Sequence, residues 1–191
     1  TLDGKRLNSP NDLVVKSDGT IWFTDPPYGI LSDREGNQRE AELDGNFTYR
    51  FDPESKELSV VDRVGDRPNG LAFSPDEKLF YLADTGEPGD ITVFDVGDDG
   101  KTLSNRRKFA DVRPGKPDGF RVDELGNIWT SALDGVQCYT SDGTLLGKIL
   151  IPEQATANLG FGDKDGKRIY ICGDTSLYSV RVKVAGAGRY W

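Results

Sequence analysis

Residues 67–86 read RPNGLAFSPDEKLFYLADTG: a Pro-Asn-Gly turn, a short apolar run (Leu71–Phe73), an acidic turn around Asp76, and a second apolar run ending at Asp84. The plan recurs three more times, as SPNDLVVKSDGTIWFTD over 9–25, KPDGFRVDELGNIWTSALDG over 116–135 and TANLGFGDKDGKRIYICGDT over 156–175. Short runs of β-branched and aromatic residues bounded by Gly, Pro, Asn and Asp describe antiparallel strand pairs. Self-similarity at a period of tens of residues marks a repeat architecture. The anchor residues Asn11, Asn69, Asp118 and Asn158 stand 58, 49 and 40 residues apart. The shortest spacing approaches the roughly 40 to 45 residues of a common propeller blade, and the excess falls in loops.

A third strand follows each pair, at Phe47, Ile91, Val136 and Leu177, and a weaker fourth follows in the first three units (LSVVDRV, NRRKFADV, LLGKILI). Four strands per unit with no helical period predict an all-β fold, a β-propeller of about four blades. A sandwich or barrel is the plainer alternative, but neither requires so regular a repeat. The first two strands of each unit are almost continuously apolar, which predicts blades packed on both faces. Trp22, Phe80, Tyr81, Trp129 and Tyr170 fall in second strands and are expected in the blade core. Three whole blades and one that stops after its third strand form an open arc, with apolar faces and strand edges left uncovered. With Thr1 in place of a starting Met, residues 1–191 read as one propeller domain whose N-terminal blades lie upstream or come from a second chain.

The composition removes several functions. The net charge is −8 and no basic run stands out, which disfavours nucleic acid and anionic membrane surfaces. No apolar stretch nears the roughly 20 residues that span a bilayer, and residues 1–10 lack a signal-peptide core. There is no histidine, so serine triads, Cys-His dyads and the usual zinc sites are excluded. Cys138 and Cys172 lack motif spacing and read as buried free thiols.

If the first strand of a blade runs inward from one face, the second returns to it. The anchor turns then share one rim with Asp25, Asp84, Asp134 and Asp174. The long polar loop 26–46 lies on that rim and is expected to act as a lid, with Asp25 and Tyr28 touching substrate. Pro-Asn-Gly and Pro-Asp-Gly are ordinary turn sequences. Their recurrence at the axis-facing position nevertheless brings the oxygens of Asn11, Asn69 and Asp118 toward one point. Amide and carboxylate oxygens without thiol or imidazole suit a hard cation, Ca²⁺ before Mg²⁺. The SDG, PDE, ELGN and KDG turns fall on the opposite rim and read as turn chemistry.

The motifs LNSPNDLVVKSDGTIWFTDPPYG, PNGLAFSPDE and PDGFRVDELGNIW, in this order, resemble the gluconolactonase, regucalcin and luciferin-regenerating enzyme family of six-bladed propellers, most of all its bacterial gluconolactonase branch. The resemblance implies a single divalent metal in the central tunnel, usually calcium (with Mg²⁺, Zn²⁺ or Mn²⁺ as alternatives). Two asparagines, an aspartate and a glutamate from the first blade would bind it. Asn11, Asn69 and Asp118 match three of these; the glutamate would precede Thr1. Where the animal branch carries a substrate-holding arginine, this chain has Ser9. The implied reaction is hydrolysis of a sugar lactone such as gluconolactone, with Asp118 as the proton-accepting carboxylate, Asp12 and Asp25 as lesser candidates, and Ser9, Asp12, Asp25 and Tyr28 near the substrate. An organophosphate-type hydrolase and a non-catalytic calcium-binding interaction module are the alternatives.

Overall fold

Leu13 pairs with Phe23 and Val15 with Ile21, and the same antiparallel hairpin recurs in each repeat of a computed structural model that describes residues 1–188. Blade I comprises β1 (Leu13–Val15), β2 (Ile21–Asp25), β3 (Phe47–Phe51) and β4 (Leu58–Asp62). Blade II comprises β5 (Pro68–Phe73), β6 (Leu79–Asp84), β7 (Asp90–Val96) and β8 (Leu103–Asp111). Blade III comprises β9 (Phe120–Val122), β10 (Ile128–Ala132), β11 (Gly135–Tyr139) and β12 (Leu145–Leu150). Blade IV has three strands, β13 (Thr156–Gly162), β14 (Arg168–Gly173) and β15 (Leu177–Arg181). Each sheet is ordered as its strands occur in the chain. The fold is an all-β propeller arrangement of four blades, as expected. Among the described residues the one helix is α1 (Tyr28–Leu31), and no helix is long and apolar enough to cross a membrane.

The period-2 geometry of strands decides which blade each side chain meets. Leu71, Phe73, Phe80, Leu82 and Phe94 of blade II pack with Trp22 of blade I. The residues between them, Ala72, Tyr81, Ala83, Ile91 and Val93, face the other way and pack with Phe120, Val122, Ile128 and Tyr139 of blade III. Trp22 is fully buried, its ring edge-on to Phe73 at 5.1 Å. Blades III and IV meet through Val136, Leu159, Ile169 and Ile171. The outer face of blade I is covered by Leu2, Leu7 and Leu43, which pack on Phe47 and Tyr49.

Burial fails where no neighbouring sheet covers a blade face. Leu13 and Val15 of β1 are exposed although their strand is wholly apolar, and Tyr170 of β14 is 38% exposed rather than in the core. Cys172 on the same strand is exposed and Cys138 is buried, so the expectation of two buried thiols holds for one. Burial, with the charge of Asp123, pushes the Cys138 thiol up to about 12, which keeps it unreactive.

β1, β5, β9 and β13 form one edge of their sheets, and successive ones lie side by side. The residue after the anchor lets them approach. A Cβ on Gly70 would stand 2.3 Å from the Asp118 carbonyl oxygen, to which the Gly70 N–H donates at 3.2 Å. A Cβ on Gly119 would meet the Asn158 side chain at 2.1 Å. The glycines of Pro-Asn-Gly and Pro-Asp-Gly are thus needed for contact between blades as well as for turning.

Candidate functional site

The approach of β5 and β9 brings the anchors together. Asn11 Nδ2 donates to Asn69 Oδ1 at 2.6 Å, although the two residues are 58 apart in the chain. Asn69 Nδ2 donates to Thr85 Oγ1 at 2.9 Å, whose hydroxyl in turn donates to the Pro117 carbonyl at 2.8 Å. The Asn69 side chain also lies near enough to the Asp118 carboxylate to favour its charged form. Three blades therefore contribute one polar side chain each to a single cluster. It faces a cavity of about 420 Å³ lined by Ser9, Asn11, Tyr28, Glu35, Thr85 and Asp118 among others.

Asp118 is half-buried, and burial pushes its carboxyl up to about 6; the charge of Asp12 adds to the rise and the Asn69 side chain opposes it. No Lys or Arg is among these influences. A desolvated carboxylate without a counter-charge, beside two amides, is an arrangement that a hard cation would relieve. The donor chemistry fits such an ion. Among the described residues no group of three or more His, Cys, Asp or Glu has metal-binding geometry, so any such site depends on the amide oxygens.

The rim aspartates occupy different roles. Asp25 is fully buried, accepting the N–H of Asn8 at 2.8 Å and of Ser9 at 2.7 Å. Asp84 does the same for Asp66 at 2.8 Å and Arg67 at 2.9 Å. Each ties the segment before an anchor to the end of the second strand. Asp25 is therefore corrected from a substrate contact to a lock beneath the cavity wall, because both its oxygens are taken by backbone donors. Asp134 pairs with Lys148 at 2.9 Å, and Asp174 is exposed. Asp12 does not line the cavity: it lies 3.5 Å from Arg121 Nη1 of blade III, and its charge acts on Asp118 through space. On the opposite rim, turn carboxylates such as Asp18 and Asp123 accept nearby backbone N–H groups, as turn chemistry requires.

Loop 26–46 closes one side. Ser9 Oγ donates to the Pro26 carbonyl and accepts from the Gly29 N–H at 3.0 Å, so Ser9 fastens the loop as well as lining the cavity. Arg39 donates through Nη2 to the carbonyls of Leu7 and Asn8, the latter at 2.9 Å. Burial raises the Tyr28 phenol above its usual value; Thr85 and Arg67 oppose the shift. Thr85, Glu35 and Gly29 line the cavity without having been singled out in the sequence. Thr85 alone left a trace, as the residue after the aspartate that ends a second strand. Removing the Arg39 clamp is expected to raise amide exchange across residues 28–40 by about tenfold, since each 1.4 kcal/mol of local opening is a factor of ten. Hydrogen–deuterium exchange of Arg39→Ala would show this with the sheets unchanged. Unchanged exchange in the loop would assign its order to Ser9 alone.

The sheet order and the site at its inner edge define a propeller with a polar cavity where three of its blades meet. Residues 1–175 match the SMP-30/Gluconolactonase/LRE-like region. The chain belongs to that family. It is 36% identical over 192 residues to a gluconolactonase of Zymomonas mobilis, covering 96% of this chain and 53% of the relative. A pentonolactonase of Haloferax volcanii is 31% identical, with coverage of 89% and 58%. The solved gluconolactonase of Xanthomonas campestris superposes with a TM-score of 0.88 at 44% identity, over 93% of this chain and 58% of that one. A regucalcin of Agrobacterium tumefaciens, at 20% identity and a TM-score of 0.73, shares the fold. The chain spans between half and three fifths of the length of these lactonases.

Proposed function

We propose that the protein to which this chain belongs is a metal-dependent lactonase that hydrolyses a sugar lactone to the aldonic acid, with Asn11, Asn69 and Asp118 holding a divalent cation. The single observation that carries the reading is the Asp118 carboxylate, desolvated and without a cationic side chain to offset it, lining one cavity with the hydrogen-bonded amides of Asn11 and Asn69. The names of its relatives, two gluconolactonases and a pentonolactonase, support the substrate class.

A hard cation bound at these oxygens would polarise the lactone carbonyl, with calcium the first choice for amide and carboxylate donors. The remaining steps fall to the chain. Water adds to the carbonyl carbon, the ring C–O bond breaks, and the proton from water ends on the departing alkoxide. Asp118 is the carboxylate placed at the cavity to accept that proton and return it. Tyr28 and Thr85 lie along the cavity wall and can orient the ring hydroxyls, while the clamped loop limits access of bulk water.

The test is titrimetric. Acid release from glucono-δ-lactone should exceed the spontaneous rate, stop on addition of a chelator and return with Ca²⁺. Release that survives exhaustive chelation would remove the metal from the reaction, and turnover of a phosphotriester with none of the lactone would favour the organophosphate alternative.

A further inference from the structure

The side chains lining the cavity include two carboxylates, Asp118 and Glu35, and no lysine or arginine. One cation stands beside its wall. The Arg67 Cζ lies 5.7 Å from the centroid of the Tyr28 ring, and Tyr28 is a lining residue. The Arg67 backbone is fixed: its N–H donates to Asp84 Oδ1 at 2.9 Å, its carbonyl accepts the Thr85 N–H at 3.1 Å, and the next two residues are buried. Arg67 itself is exposed. Arg50, Arg107, Arg121, Arg168 and Arg181 all sit within ion-pair distance of a carboxylate, and among the described residues Arg67 does not. Stacking on an aromatic face leaves the in-plane N–H donors of a guanidinium free. Tyr28 Oη, buried at the same wall, has no hydrogen-bond partner of good geometry. The Arg67 guanidinium and the Tyr28 hydroxyl thus meet at one place, close enough to act on each other and to face one ligand group together.

We propose that Arg67 and Tyr28 form an outer subsite that takes an anionic oxygen group, such as a carboxylate, phosphate or sulfonate, carried by the substrate at the end remote from the lactone carbonyl. The inference rests on the lactonase reading and narrows its substrate class. A guanidinium offers paired donors to such a group, where a neutral hydroxyl engages one. Glu35 repels an anion from the rest of the cavity and so favours the orientation with the charged end at Arg67.

The subsite can be tested without turnover. Calorimetric titration of the whole chain in calcium-containing buffer compares gluconate with its 6-phosphate. The phosphorylated acid should bind about tenfold more tightly, the size of one charge-assisted contact. Arg67→Gln should erase the difference and leave gluconate affinity unchanged, while Arg67→Lys restores part of it. Equal affinities in the unaltered chain, no detectable binding of the phosphate, or an equal loss for both ligands in Arg67→Gln would overturn the assignment. The two readings fail separately. A preference for the phosphate with no hydrolysis of any lactone sinks the reaction and keeps the subsite, and hydrolysis with no such preference does the reverse.

Discussion

Asp118→Asn is expected to abolish cation binding and lactone hydrolysis while making the protein more stable in the presence of a chelator at pH 7.5. The folded carboxyl sits at about 6 against an ordinary 3.8. Between those values the folded chain keeps a proton that the unfolded chain has released, so stability falls as pH rises through the window, and the full penalty is present above it. Discounting for partial exposure, that penalty is about 2 kcal/mol, or roughly 5 °C in the thermal midpoint of a chain this size. Asparagine keeps the shape and removes the charge. At about pH 4 most of the difference should be gone, since the carboxyl is then protonated in the folded chain and partly protonated in the unfolded one. Added Ca²⁺ should reverse the ranking at pH 7.5, because an ion that binds only the folded state stabilises it by about 2.7 kcal/mol at a hundredfold excess over its dissociation constant. Thermal scans with chelator and with Ca²⁺, at pH 4 and 7.5, test every part of this. An Asn variant that melts lower than the parent with chelator at pH 7.5 would show that Asp118 is engaged by a positive group and is not poised for a cation.

Gly70→Ala should be the most damaging single-methyl addition on the inner strands. The new Cβ would fall 2.3 Å from the Asp118 carbonyl oxygen and 3.0 Å from the Phe120 ring. Neither neighbour can swing aside: the first is backbone and the second is fully buried between blades II and III. Overpacking of this kind costs about 1–3 kcal/mol, and the upper end applies when backbone must move. The movement also carries Asp118 away from Asn69, so cation affinity should fall alongside stability. Gly147→Ala on β12, where a Cβ meets nothing within 4 Å, is the control. Urea unfolding of the two variants would separate them; equal midpoints would mean that the inner strands are looser than the Gly70–Asp118 contact implies.

The blades were readable in the sequence because their determinants are local. Turn residues at fixed offsets and apolar runs between them need no knowledge of distant chain, and the anchors follow from the same repeat. Asp25 and Asp84 were harder to assign. A carboxylate at a strand end looks the same whether it faces a ligand or accepts N–H groups from a segment about 17 residues earlier. Tyr170 and Val15 were misplaced for a related reason: a strand's own residues show that a face is apolar, but burial depends on whether another sheet covers it. Glu35 carries no periodic signal at all, and Arg67, although it stands two residues before its anchor as Ser9 and Lys116 do, shares no chemistry with Ser9 that would mark it. They reach the cavity region through the path of a loop and a contact between loop and turn, both of which are tertiary facts.

The three anchors stand on the inner strands, or the turns that lead into them, of three separate blades, whose closeness is set by Gly70 and the apolar layers behind them. The span between their oxygens is therefore a property of the interior and not of any loop. A gap of that kind works as a calliper. Trimming a side chain between two blades is expected to change its opening by fractions of an ångström, the scale on which ionic radii differ. On the proposed reading, discrimination among divalent ions would be a gauge of how tightly the hydrocarbon interior is stacked, and substitutions far from the cavity would be a route to changing it.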